Sequence, residues 1–106
     1  MKHFLQRLVG LKIERLEKVR DYVQIHFFDG SITSIFNAVR FEFEGRQVEL
    51  ESLLNKEIST VIEIDDAIQI TTSEGYSIHV GLSDDDFAGP EALTLLCADG
   101  TTAVWS

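Results

Sequence analysis

Apolar and polar residues alternate along most of this chain with a period of two, the signature of strands with one face buried. Three pairs of such runs are separated by an acid followed by glycine. They are YVQIHFF and SITSIF around Asp29-Gly30, AIQITTS and YSIHVGL around Glu74-Gly75, and EALTLLCA and TTAVWS around Asp99-Gly100. In the second pair Ile68, Ile70, Ile78 and Val80 form the apolar set; in the third, Leu93, Leu95 and Cys97 do. Acid-Gly pairs favour two-residue hairpin turns with positive φ at both central residues, so three hairpins are expected.

The intervening segments add shorter elements. Val39, Phe41 and Phe43 alternate with Arg40, Glu42 and Glu44 before Gly45 turns the chain, and Arg46 to Leu50 suits a short strand. Glu51 to Lys56 suits one helical turn, and Ile58, Val61, Ile62 and Ile64 open another strand. Phe4, Leu5 and Leu8 have helical spacing with Gly10 as a stop. Lys12 to Val19 fits either state. A faint repeat is visible: Asp21-Tyr-Val-Gln-Ile resembles Asp66-Ala-Ile-Gln-Ile at an offset of 45 that also superposes Gly30 on Gly75, although the apolar phase slips beyond that turn. The expected architecture is a mainly β single domain over residues 1–106. It is an antiparallel β-sandwich or open barrel of about eight short strands with a short N-terminal helix.

Length and composition agree with this reading. A chain of 106 residues, 44% hydrophobic and 25% charged, can build a core without staples. Its lone cysteine, Cys97, allows no internal disulfide, as expected in a reducing compartment. The N-terminal apolar residues are interrupted by His3, Gln6, Arg7 and Lys12, and no run approaches the ~20 residues of a membrane span, so a cytoplasmic location is expected.

Charge changes the picture most. The net charge is −9, and all nine Lys and Arg lie at or before Lys56. Residues 57–106 hold ten acids and no base. Such a field repels nucleic acid and anionic membranes and attracts basic proteins. Its densest stretch is LSDDDFAGPEALTL, in which Asp84, Asp85 and Asp86 precede Phe87, Gly89 and Pro90, the only proline. Gly89 and Pro90 are expected to make a sharp turn that holds the acidic loop at a sheet edge and blunts that edge. Phe87 is either a plug for the end of the sandwich or an aromatic anchor ringed by charge. Glu63, Asp65, Asp66 and Glu91 are expected to extend the patch from neighbouring turns.

Other chemistries find little support. His3, His26 and His79 show no zinc-ligand spacing, and the two in strands are expected on outward faces. Cys97 falls on an apolar strand face, as a small hydrophobe. No nucleophile elbow, phosphate loop or calcium-loop pattern occurs, and the bases are scattered among acids rather than striped with aromatics. No catalytic residue, metal ligand or cofactor is expected, and the chain reads as a non-enzyme.

The combination of DYVQIHFFDG, LSDDDFAGPEALTLL and ADGTTAVW resembles small bacterial immunity proteins encoded beside polymorphic toxins, including those of contact-dependent growth inhibition systems. The resemblance implies a non-enzymatic toxin inhibitor that binds the C-terminal domain of its cognate toxin, often a basic nuclease. It supplies no site residues. The protein-binding set of Asp84, Asp85, Asp86, Phe87, Asp65, Asp66, Glu63 and Glu91 comes from charge alone. Two rival readings remain open at this level. One is a general interaction module or homodimer using edge strands around Phe41–Leu50; the other is a ligand-binding or enzymatic barrel.

Overall fold

The computed structural model describes residues 3–105. Lys2, Ser106 and the side chain of His3 lie outside the described set. The strands run β1 (Ile13–Val19), β2 (Tyr22–Phe27), β3 (Ile32–Ile35), β4 (Val39–Phe43), β5 (Arg46–Gln47), β6 (Ile58–Ile64), β7 (Ala67–Thr72), β8 (Tyr76–Gly81), β9 (Leu93–Leu96) and β10 (Thr102–Trp105). They form two antiparallel five-stranded sheets, ordered β1-β2-β3-β9-β10 and β5-β4-β8-β7-β6. The fold is therefore the expected mainly β, two-sheet architecture. The N-terminal helix is a 3-10 helix, His3–Leu8, and a second 3-10 turn spans Leu50–Leu53. The ambiguous segment after Gly10 is strand, because Ile13 and Leu16 turn onto the core alongside Ile25 and Phe27.

The two sheets press their alternating apolar faces together. Ile25, Phe27, Ile35, Leu93 and Leu95 from one meet Phe41, Val61, Ile68, Ile70, Ile78 and Val80 from the other, all buried. Leu5, Leu8 and Leu53 from the 3-10 elements join the same cluster, as does Cys97. Phe36 and Phe43 are only half-buried; each stacks on a tyrosine, Tyr22 at 5.2 Å and Tyr76 at 4.4 Å between ring centroids.

The faint repeat is the plan of the molecule. Adding 45 to each residue of the β1–β2 register reproduces the β6–β7 register, including the bulge after its first residue pair. The same shift carries β2–β3 onto β7–β8. The two copies meet across an approximate two-fold. Gly10 donates its N–H to the Ile58 carbonyl at 2.7 Å, and its counterpart Asn55 donates to the Ile13 carbonyl at 2.9 Å. Both turn residues need the left-handed region, with φ 90° at Gly10 and 68° at Asn55, where glycine and asparagine carry the least steric cost. The apparent phase slip disappears, since Thr33 occupies the inward position of Ile78 and is as deeply buried.

After its third strand each copy crosses to the other sheet. β4 pairs with β8, and β9 pairs with β3. Two expectations are corrected by this exchange. β9 lies between β3 and β10, so the Gly89-Pro90 turn has no sheet edge to blunt, and Gly89 takes no positive φ. β4 is interior as well, which leaves only the two residues of β5 as an edge in the Phe41–Leu50 region. The acid-Gly hairpins also differ from the two-residue form. In each, glycine alone has positive φ and closes a three-residue loop, as where the Gly30 N–H reaches the Phe27 carbonyl and the Phe27 N–H the Ser31 carbonyl.

Among the described residues no helix is long and apolar enough to cross a membrane.

Candidate functional site

The acidic segment lies in the crossover from β8 to β9. Asp84–Asp86 form a single 3-10 turn capped by Ser83, whose backbone N–H donates to the Asp86 carboxylate at 3.1 Å. The three aspartates are therefore not equivalent. Asp84 and Asp85 are exposed, whereas Asp86 is half-buried and folded back over Gly81. A methyl group on the Gly81 Cα would overlap the Asp86 carboxylate, which would have to swing aside. Phe87 packs against the core, as the plug reading expects.

Two backbone hydrogen bonds fix the crossover beside its neighbours. The Leu82 N–H donates to the Asp66 carbonyl at 2.7 Å, and the Ala38 N–H to the Asp86 carbonyl at 2.9 Å. The β6–β7 turn, Asp65-Asp66, is thereby held against the start of the acidic segment. Asp66 and Asp86 line one hollow of about 270 Å³, floored by Ala67 and Gly81. Glu63 stands on β6 two residues before that turn. It is opposite inward-facing Ile68 yet exposed, so it also puts a charge where another sheet edge would otherwise dock. Glu91 is separate from this group and lines a second hollow with Asp21, Tyr22, Phe36 and Pro90.

Four of the eighteen acids form ion pairs among the described residues. Arg7 binds Asp99 at 3.2 Å and Lys56 binds Glu74 at 2.9 Å, so two bases of the first half neutralise acids of the second. Arg15 binds Glu17 at 3.0 Å and Arg40 binds Glu42 at 2.6 Å. None of Glu63, Asp65, Asp66, Asp84, Asp85, Asp86 and Glu91 has an ion pair among the described residues, a state shared by seven acids elsewhere, so it is their position that groups the first six. The hydrogen bond from Arg40 holds the Glu42 carboxyl below its ordinary range, and the one Lys56 donates to Glu74 raises Lys56.

His26 and His79 lie on outward strand faces, partly covered by neighbours. The Nε2 of His79 meets both Ser77 Oγ at 3.0 Å and Glu42 Oε1 at 3.2 Å. A Ser-His-acid relay needs the serine and the carboxylate on different ring nitrogens, so this trio does not form one. Among the described residues no three His, Cys, Asp or Glu side chains converge as a metal-ligand group.

Sequence reasoning missed two features of this end of the molecule: the hollow over Ala67 and Gly81, and the exposed isoleucines Ile62 and Ile64 beside it. The signal was present in the offset of 45. It sets Tyr22 against Ala67 and Phe36 against Gly81, a loss of two aromatic rings at matched positions. Compared with family models, with curated proteins and with solved structures, the chain matches none of them.

Proposed function

We propose that this protein is a non-enzymatic immunity protein. In this reading it binds the C-terminal domain of a cognate, basic nuclease toxin through the acidic crossover end and so blocks the toxin in the cytoplasm. The observation that carries the reading is the grouping of six carboxylates without an ion pair among the described residues, Glu63, Asp65, Asp66, Asp84, Asp85 and Asp86, on β6, the β6–β7 turn and the following crossover. Adjacent like charges repel by up to ~1 kcal/mol per pair in water. Carboxylates left unpaired in this way favour a cationic partner, whose approach relieves the repulsion. Nuclease domains present such charge where they hold the phosphate backbone. Complementary fields raise association rates by about 10 to 10³ and reject partners of the wrong sign, which suits an inhibitor that must reach its target before the target cuts.

The test is inhibition and binding kinetics with the toxin domain encoded beside this protein. The wild-type chain is expected to abolish nuclease activity at equimolar ratio, with an association rate that falls as salt rises. Reversing Asp84 and Asp85 to lysine, both exposed and outside the core, is expected to slow association roughly tenfold at low salt and to flatten the salt dependence. Unchanged association across all salt concentrations would refute the acidic interface. Absence of any inhibition would refute the immunity role.

A further inference from the structure

The internal repeat provides a comparison within one molecule. Matched positions on the outward faces of the two sheets carry different residues. On β1 the outward residues are Arg15, Glu17 and Val19, and the first two form an ion pair at 3.0 Å. At the same positions β6 carries Thr60, Ile62 and Ile64, with the two isoleucines 44% and 46% exposed. The row beyond them diverges in another sense, from aromatic to small residues. Tyr22 and Phe36 stand on the face of the first sheet with rings 5.2 Å apart and border the hollow shared with Asp21 and Glu91. Their counterparts Ala67 and Gly81 leave the hollow. Since the backbone register is shared, packing does not require these differences.

Three observations define what fits there. Ile62 and Ile64 offer apolar surface on a strand that has no partner on its outer side. The 3-10 helix His3–Leu8 covers only the first half of that edge, where the Gln6 side-chain amide donates to the Val61 carbonyl at 2.7 Å. The adjoining hollow is lined by Asp66 and Asp86. Arg40 and His79 also line it, but both turn to Glu42, at 2.6 and 3.2 Å, and neither forms an ion pair with Asp66 or Asp86.

We infer that the strip Ile62, Ile64, Ala67 and Gly81 is a docking surface for a cationic segment of a partner protein. One Lys or Arg of that segment stands in the hollow beside Asp66 and Asp86, and its apolar neighbours lie on the two isoleucines. An apolar contact ringed by unpaired charge of one sign selects both for shape and for charge, as interface hot spots do. This deepens the immunity reading, on which it rests for the identity of the partner, by naming which part of the acidic end makes the contact.

The test uses a synthetic peptide, Val-Lys-Val-Arg-Val with blocked ends, titrated into the isotopically labelled full chain and followed by amide NMR shifts. Shifts concentrated on residues 62–67 and 81–86, with the matched β1 edge at 15–19 silent, are expected. Ala67→Tyr restores the residue of the first sheet, fills the hollow, and is expected to weaken peptide binding roughly tenfold. Ile64→Thr keeps strand propensity, removes apolar surface, and serves if the tyrosine variant unfolds. Equal shifts on both edges, or binding unaffected by either folded variant, would overturn the inference. The toxin experiment separates the two proposals. Toxin held equally well by Ala67→Tyr would sink this surface and leave the immunity role standing. A peptide response on this strip with no toxin inhibition would do the reverse.

Discussion

Single residues carry both the sense and the disguise of this fold. Ile68, Ile70, Ile78 and Val80 are buried as their alternation requires, and that much is legible because period two has only one way to face a core. Thr33 is the case that hid the repeat. It sits fully buried where the second copy has Ile78, and its hydroxyl has no hydrogen-bond partner among the described residues. A threonine in an inward position looks like a polar residue on the wrong phase, and only the register across Ile25 and Leu95 reveals it. Burying an unsatisfied hydroxyl costs about 1–3 kcal/mol. Thr33→Val keeps the branched shape and removes the oxygen, so it is expected to stabilise the protein by about 1 kcal/mol in urea unfolding. A loss of stability would mean that the hydroxyl is hydrogen-bonded in solution.

At the scale of elements, the hairpins show how a correct turn signal can point to the wrong turn. The pairs Asp29-Gly30 and Asp99-Gly100 do mark hairpins, but their aspartates keep negative φ and act through their side chains. Asp29 accepts the Ser31 N–H at 2.8 Å, and Asp99 the Thr101 N–H at 2.9 Å. The residue after glycine is Ser or Thr in both, and its N–H is the donor that the carboxylate reads. The pair with two positive φ values is Glu44-Gly45, at 51° and 79°. Asp99 is held down to about 2 by the Thr101 backbone N–H first, then the Thr101 side chain and Arg7. A carboxyl whose folded value lies below its unfolded one adds stability above the unfolded value and loses it as pH falls through the folded one. The third hairpin is therefore expected to lose this contribution between about pH 4 and pH 2. In unfolding measurements across that window, Asp99→Asn should show a shallower acid decline than the wild type. Parallel curves would mean that Asp99 is not ionised against these partners in the fold.

For the whole molecule, the decisive feature is the exchange of strands between the copies, which one-dimensional reading could not supply. Residues 3–36 and 48–81 share only seven identical positions at the offset of 45, among them Leu5, Leu8, Ile13 and Asp21 with Leu50, Leu53, Ile58 and Asp66. Alternation and turns locate strands along the chain but do not say to which sheet a strand returns, because β4 and β9 present the same apolar face in either place. The candidate site inherits that limit. Its acids were legible as charge, whereas their grouping depends on a β6–β7 turn and a β8–β9 crossover brought side by side. The exchange also has a mechanical consequence. Residues 1–47 contribute β1–β3 to one sheet and β4–β5 to the other, and residues 48–106 do the converse. Neither half contains a complete sheet, and each would expose the faces of Ile25 and Phe27 or Ile70 and Ile78 to water. Separate fragments cut after Gln47 are therefore expected to be largely unfolded alone and to recover the native β spectrum when mixed at equal concentration, with circular dichroism and NMR dispersion as readouts. Independent folding of either fragment would show that each copy closes on its own strands, and that the exchange between sheets is not what holds the sandwich together.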